Sequence, residues 1–515
     1  MAWSCFQPDL TKNLPVRIGY LLILGISFII FYLFENVLSN STDSITTNKA
    51  IGINLAGIKD WSSELVFNDY FKRARPWINH NSKAPLVLDE NGWVKKLNPG
   101  QSAQTYIFSG FRSHFPSMEF SCLYDGSGII EFPEAMIIQE ERGLYRIRLK
   151  KNANHLSLII HKTNPKNYIR NIRIYSGNNI TAKRFRQDFL KRWQPFSVIR
   201  FMGWMETNDS NQVNWYDRPL PSYFSQATHK GVALEYMIEL ANSLNISPWF
   251  CMPHQASDDY IIQFARMVKK QLNPKLKIYI EYSNEVWNSS FKQHQYARRK
   301  GMELNLSNKP YLIPIRYYSQ RSTEIFSIWG SVFHDHKRLI RVLSGQMAAP
   351  YMTTQILNWK SAWKHADAYA VGNYFGMQNK ELLKQNSPSE KELNRLLWLD
   401  LDKKKKLVQQ HQAIISAKKL KLFAYEGGQH LVARNNPVLN KLFNQANRSN
   451  QMNGLYAKHL KNWFDSGGGL FMHLGSVSRN SKYGKWGTLE WYDQNPASTK
   501  YAVLLKTQKK ISSNP

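Results

Sequence analysis

Hydrophobic positions along the chain follow three rhythms, and each predicts a different kind of element. Near the start, IGYLLILGISFIIFYLF (18–34) is an unbroken uncharged apolar run, continued by Val37-Leu38 after Glu35-Asn36. It approaches the length that a bilayer-spanning helix requires. From about 80 to 178, short stretches such as QTYIFSGFRS, LYRIRLKK and HLSLIIHK alternate apolar and polar residues. Alternation of period two, broken by Asp-Gly and Asn-Gly turns, predicts an antiparallel β-sandwich of about a hundred residues. From 179 onward, apolar strand-like runs alternate with helical patterns.

The strand-like runs can be counted. IGINLAG (51–57) is the first, followed by FSVIRFMGWMETN (196–208), ISPWFCMPH (246–254) and KIYIEY (277–282). LIRVLSGQ (339–346), ADAYAVGNYF (366–375), LKLFAYEGG (420–428) and GGGLFMHLGSVS (467–478) complete eight. Helical sequence follows most of them: ELVFNDYFKRARPW after the first, the stretch around 229–244, and DDYIIQFARMVKKQL (258–272). Eight β/α units predict an α/β fold, a closed (β/α)8 TIM barrel, with the sandwich inserted between the first and second units. A doubly wound open sheet is the alternative, and it is disfavoured because no GxGxxG follows any strand.

The expected organisation is a cytoplasmic N-terminus (1–17), a transmembrane signal anchor (18–38) and a linker (39–50). The first β/α unit (51–79), the β-sandwich (80–178), the rest of the barrel (179–500) and a basic C-terminal tail (501–515) follow. Lys12 and Arg17 precede the apolar run, so the positive-inside rule leaves residues 39–515 outside the cytoplasm. The expected location is the cell membrane, with the large domain periplasmic in a Gram-negative host. Cleavage and secretion form the alternative, although the exit FENVLSNSTDS lacks an A-x-A-like site.

Composition adds two features. Aromatics make up 13% of residues, with 16 Trp and 26 Tyr, which suits a surface that stacks on sugar rings as well as a large core. The formal net charge is +31, which attracts nucleic acid, anionic lipid or acidic polysaccharide. No recognition-helix, zinc-finger or RNA-binding signature is present, so no nucleic-acid partner is expected. The run Lys403-Lys404-Lys405-Lys406 reads as a solvated helix face. Cys5, Cys122 and Cys251 are too scattered for a disulfide framework or a metal site. His334-Asp335-His336 are adjacent residues that point apart, so neither a metal nor any other cofactor is expected. No GxSxG elbow marks a serine hydrolase.

In a closed barrel the loops after the strands form the active face, so reactive residues should gather at strand exits. They do. Strand two ends with Arg200, Trp204 and Glu206, strand three with His254, and strand four with Asn284-Glu285. Strand six offers Tyr374, strand seven Glu426, and strand eight His473. Two carboxylates converging from strands four and seven are the equipment for cleaving a glycosidic bond. Glu281, in mid-strand, reads instead as a barrel charge paired with Lys or Arg.

SNE at the end of strand four, a strand-ending Glu on seven and an Arg near the end of two resemble the large clan of retaining glycoside hydrolases built on (β/α)8 barrels. The resemblance covers 51–57 and 179–478. It implies Glu285 as general acid/base, Glu426 as nucleophile and Asn284 as the partner of a sugar 2-hydroxyl. It gives Arg200 and Tyr374 to the nucleophile, Gly427-Gly428 to substrate clearance, and the sandwich a carbohydrate-binding role. Trp204, His254 and His473 are expected to line the substrate. The clan commonly ends strand eight with Trp, where this chain has His473 and Gly475, so Trp486 or Trp491 on the following loop is expected to take that place. The implied activity is a membrane-anchored, endo-acting glycosidase on an extracellular or envelope polysaccharide, the basic surplus favouring an anionic polymer. A transglycosylase with the same residues and a noncatalytic polysaccharide-binding protein are the alternatives.

Overall fold

The computed structural model describes residues 49–376, 389–497 and 499–513. The expected anchor at 18–38 and most of the linker lie outside the described residues. Among those described, no helix is long and apolar enough to cross a membrane.

Eight parallel strands close into a barrel. In order they are Ala50–Asn54, Val198–Arg200, Ser247–Met252, Ile278–Tyr282, Leu339–Gly345, Ala368–Phe375, Lys421–Gln429 and Leu470–His473. The ring closes where Ala50–Ile53 pairs with Leu470–His473. These strands are nearly continuous apolar runs because both faces are covered: one packs into the barrel interior, the other against helices. Ile53, Ile199, Phe250, Ile280, Val342, Phe423 and Phe471 all belong to this core. Burying each such side chain contributes about 1.5–3 kcal/mol.

The helices form for local reasons that also aim them. Asp258–Gln271 starts at Ser257, whose hydroxyl accepts from Tyr260 N at 3.1 Å, with Asp258 and Asp259 complementing the first turn. Its Tyr260, Ile261, Phe264, Ala265 and Val268 share one face and are buried, while its last turn carries Lys269 and Lys270. The lysine run 403–406 lies in the long helix Glu390–Ser416.

The insertion is a sandwich of two four-stranded sheets. One contains Ile78–Asn79, Ala103–Ser109, His155–Thr163 and Gly128–Glu131; the other contains Arg170–Ser176, Glu119–Asp125, Leu144–Leu149 and Ala135–Glu141. Phe108, Phe120, Ile147 and Leu158 belong to their shared core.

Two expectations fail here. ELVFNDYFKRARPW is not an α-helix; it holds a single 3-10 turn, Tyr70–Arg73, opened by Asp69. Its apolar residues serve two masters: Phe67 belongs to the barrel core, while Leu65, Tyr70, Phe71 and Ala74 belong to the sandwich core. No single helical face satisfies both, and the helix preceding strand two is Gln187–Trp193, beyond the insertion. The other is the basic C-terminal tail expected at 501–515, whose described residues, to Ser513, pack on the barrel. Lys500–Ser513 is a helix with Tyr501 and Leu504 in the barrel core, and its Gln508 accepts from Ile51 N at 2.7 Å.

Candidate active site

Six barrel strands contribute to one hydrogen-bonded network at their C-terminal ends, and Arg200 is its hub. Strand register pairs Arg200 with Asn54 on one side and Trp249 on the other. Its guanidinium lies fully buried over the rings of Trp249 and Tyr425, at 5.5 and 5.3 Å. Nη1 donates to Asn54 Oδ1 (3.0 Å) and Glu426 Oε1 (3.1 Å). Nη2 donates to Glu281 Oε2 (2.8 Å) and Asn284 Oδ1 (2.9 Å), and Nε to Glu281 Oε2 (3.1 Å). All five donor hydrogens of an arginine are therefore engaged.

One cation thus faces two carboxylates. Glu281 is the inner one, with no exposure, and its Oε2 also accepts from Trp249 Nε1 at 3.0 Å. It is the paired barrel charge that its mid-strand position predicts. Glu426 is the outer one, and Tyr374 Oη donates to its Oε2 at 2.6 Å. Burial opposes the charge on Arg200, but the Cys251 sulfur, Glu281 and Glu426 outweigh it and hold the guanidinium more firmly protonated than usual.

Glu285 sits on a strained exit. Ser283 and Glu285 both have left-handed backbones, with φ of 59° and 45°, a conformation that costs a non-glycine residue on the order of 1–3 kcal/mol. Surrounding bonds impose it: Ser283 N to Met252 O, Gln293 Nε2 to Asn284 O, and Asn288 N to Glu285 O, each 2.8 Å. The result turns the Glu285 carboxyl toward strand seven, where Tyr425 Oη donates to its Oε1 at 3.0 Å. Asn288 Nδ2 donates to its Oε2, also at 3.0 Å.

A bulge lets strand seven serve both carboxyls. Val371 pairs with Ala424 and Gly372 with Glu426, which leaves Tyr425 as an extra residue. Consecutive residues of a regular strand point to opposite faces. The bulge instead allows Tyr425 to reach Glu285 while Glu426 binds Arg200 and Tyr374, the kind of re-aiming that bulges perform beside active sites.

The two carboxyls are held in different states. Burial pushes Glu285 up to about 7, and the charge of Glu426 adds to the rise, against the opposing bonds from Asn288 and Tyr425. Burial raises Glu426 as well, but Arg200 and Tyr374 work against it there. Of two interacting acids, the one bonded to the cation keeps the charge and the other keeps the proton. The site can therefore offer a proton from Glu285 and a carboxylate from Glu426 near neutral pH.

The raised acid has a stability consequence. The folded pKa of Glu285, about 7, exceeds the unfolded glutamate value of about 4.3, so it stabilises the fold at low pH and loses that contribution between the two values. Glu285→Gln should escape the loss. It is expected to exceed the parent in stability by on the order of 1–3 kcal/mol at pH 8 and to match it below about pH 4, measured by urea unfolding at both pH values.

Other expected site residues separate into two groups. Asn284 is in place but committed: its Nδ2 donates to Asn208 Oδ1 at 3.0 Å, leaving one amide hydrogen for a ligand. Trp486 packs edge-on against Tyr374 and His430, with centroids 5.8 and 4.8 Å apart. A Cβ on Gly484 (φ +153°) would lie 2.0 Å from its indole Nε1, so glycine there makes room for the ring. Trp491 goes elsewhere, stacking on His114 at 3.8 Å.

Trp204 and His473 offer no ligand surface. Trp204 is 1% exposed within the barrel core, against Phe67 and Phe201. His473 is fully buried, bonded to Tyr456 Oη (3.0 Å) and Gly475 O (3.3 Å), and burial pushes its pKa down to about 3. His254 is 2% exposed and packs on Tyr296, with burial lowering it to about 4. Gly427 and Gly428 do not clear space for substrate: Cβ atoms there would strike Phe471 and Tyr456, so these glycines serve close strand packing. Glu206 is paired with Lys59 at 2.7 Å.

Asn54, Tyr425, Asn288, Asn208 and Gln293 join the network without having been assigned roles from sequence. Asn54 was findable as the polar exit of strand one; Tyr425 was not, because period two sends it away from Glu426. Among the described residues, no group of three or more His, Cys, Asp or Glu side chains is arranged to hold a metal ion.

No protein-family model and no curated protein matches the chain. Solved structures do. A GH51 arabinofuranosidase from Xanthomonas axonopodis pv. citri is 12% identical over 59% of this chain and 62% of that one, with a TM-score of 0.41. A family 51 α-L-arabinofuranosidase from Bifidobacterium longum is 10% identical over 65% and 68%, with a TM-score of 0.43. A GH10 xylanase from Thermobacillus composti is 10% identical over 62% and 91%, with a TM-score of 0.34. The alignment spans less than two thirds of the first of these proteins, 62% of its length. What the chain itself defines is a closed β/α barrel with a buried Arg-centred carboxyl site at its mouth.

Proposed function

We propose that this protein is a retaining glycosidase of the (β/α)8-barrel clan, acting on an extracellular or envelope polysaccharide. The observation that carries the reading is the unequal state of Glu285 and Glu426: one is pushed up to about 7, the other is bonded to Arg200 and Tyr374. In the first step Glu426 attacks the anomeric carbon while Glu285 gives its proton to the departing oxygen. The leaving alcohol carries that proton away; Glu285 then takes a proton from an incoming water, whose oxygen bonds to the anomeric carbon as the bond to Glu426 breaks and the sugar is released. Asn284 is assigned to the sugar 2-hydroxyl, and Trp486 to the floor that the clan's strand-eight tryptophan usually provides. The apolar run at 18–38 is assigned to holding the enzyme at the membrane, and the charge of +31 favours an anionic polymer.

Two outcomes follow for Glu285. Activity should fall as pH rises through about 7, where Glu285 loses its proton. Glu285→Ala should lose about 10²–10⁴-fold on substrates whose leaving group needs protonation. It should keep rapid glycosylation by dinitrophenyl glycosides and recover turnover when azide is added, because a small anion can fill the vacated space. A variant that responds to neither the better leaving group nor azide would remove Glu285 from the acid/base role.

A further inference from the structure

Away from the barrel mouth, a second concavity opens on the seam between the sandwich and the barrel. Its volume is about 790 Å³, within the roughly 300–1,000 Å³ usual for ligand sites. The sandwich contributes Glu90, Tyr168 and Arg173, and the barrel side contributes Lys183, Arg184 and Pro221. Buried rings of Phe67, Trp93 and Tyr236 lie among its lining.

Most of its charged groups are already committed. Asp89 accepts from Tyr168 Oη at 2.7 Å and from the backbone of Asn91 and Trp93. Asp69 accepts from Phe71 N and Ile174 N, and Asp125 from Asn171. Lys72 is held by the carbonyls of Pro221 and Tyr223, each at 3.0 Å. Arg184 is pinned to Glu239 at 2.6 Å, with its guanidinium 3.9 Å from the Tyr236 ring centroid. These bonds preform the walls, which lowers the cost of binding.

Arg170 donates to Asn167 Oδ1 and Tyr168 O, and Arg173 Nε donates to Asn171 O at 3.3 Å. Arg173 and Lys183 are nonetheless exposed in the lining, and among the described residues neither has a carboxylate within ion-pair reach; Glu90 is exposed and likewise has no ion-pair partner. A cleft with fixed donors and acceptors and two exposed cations against, besides the hydrogen-bonded Asp125, one exposed carboxylate suits a chain of hydroxyls that also bears negative charge.

We propose that the seam cleft is a second saccharide site, for an oligosaccharide carrying carboxylate groups of the uronate kind, with Arg173 and Lys183 as its carboxylate contacts. The inference rests on the polysaccharide reading of the barrel but uses none of its catalytic residues. It makes the sandwich and barrel joint holders of one polymer, at a site distinct from the one where the chain is cut.

The test uses the full chain carrying Glu426→Gln, so that no probe is consumed, titrated calorimetrically with hexamers of galacturonate, mannuronate and hyaluronan. At least one hexamer should bind, and raised salt should weaken it. Arg173→Ala with Lys183→Ala should weaken it about tenfold or more, the loss expected for charged hydrogen bonds. Lys183→Glu alone should do the same, and an unchanged melting temperature excludes misfolding of either exposed-site variant. Binding by none of the three hexamers overturns the proposal, as does equal binding by the variants or by the methyl-esterified galacturonate hexamer. Failure of the barrel reading is separate: it would show as no sugar ever labelling Glu426 in the parent, whatever the seam titration gives.

Discussion

Glu426→Gln should abolish turnover, lowering kcat by about 10⁴-fold or more while leaving saccharide binding in place. Replacing the carboxylate by an amide of equal shape keeps an oxygen for Tyr374 or Arg200 but removes the proposed nucleophile. No nearby group substitutes. Glu285 faces Tyr425 and Asn288, and Glu281 is buried behind Arg200 with no exposure. The measurement is steady-state hydrolysis of an activated aryl glycoside alongside calorimetric binding of the product sugar. A residual rate within tenfold of the parent would contradict the nucleophile assignment.

Arg200→Met should be costly to the fold as well as to the reaction. The guanidinium is fully buried and bonds two carboxylates, Glu281 at 2.8 Å and Glu426 at 3.1 Å. Removing one partner of a buried pair leaves unpaired charge in a low-dielectric interior and destabilises by about 3–5 kcal/mol. Arg200 works against the burial that raises Glu426, so its loss raises that carboxyl further. The stability deficit should therefore be greatest at neutral pH and shrink as pH falls and protonation of Glu426 relieves the unpaired charge. Urea unfolding from pH 4 to 8 follows this directly. A deficit independent of pH would mean that Arg200 acts by packing over Trp249 and Tyr425 rather than by charge.

The barrel was legible because parallel strands buried on both faces read as apolar runs, and because polar residues at their ends have no packing reason to be there. Arg200, Asn284, Glu285, Tyr374 and Glu426 all meet in the structure for that reason. What failed to read was whatever depends on two partners at once. The stretch 64–77 has a helix-like apolar pattern, yet Phe67 is required by one core and Tyr70 and Phe71 by the other, so the chain runs irregularly between them. Tyr425 was hidden by a bulge that no local pattern announces. Trp204 and His473 share the strand-exit position of the residues in the Arg200 network, but their side chains are buried away from it. Position along the chain gives the exit; it does not give the direction a large side chain takes afterwards.

The central claim is that Glu426 bonds covalently to a sugar, and trapping that bond tests it most directly. Residues 45–515 would be incubated with a panel of activated 2-fluoro glycosides covering neutral sugars and uronates, then weighed intact and mapped by peptide. The expected result is a single sugar adduct on the peptide containing Glu426, absent from Glu426→Gln. An adduct on a different carboxylate, or turnover of the natural polymer with no adduct from any member of the panel, would contradict it.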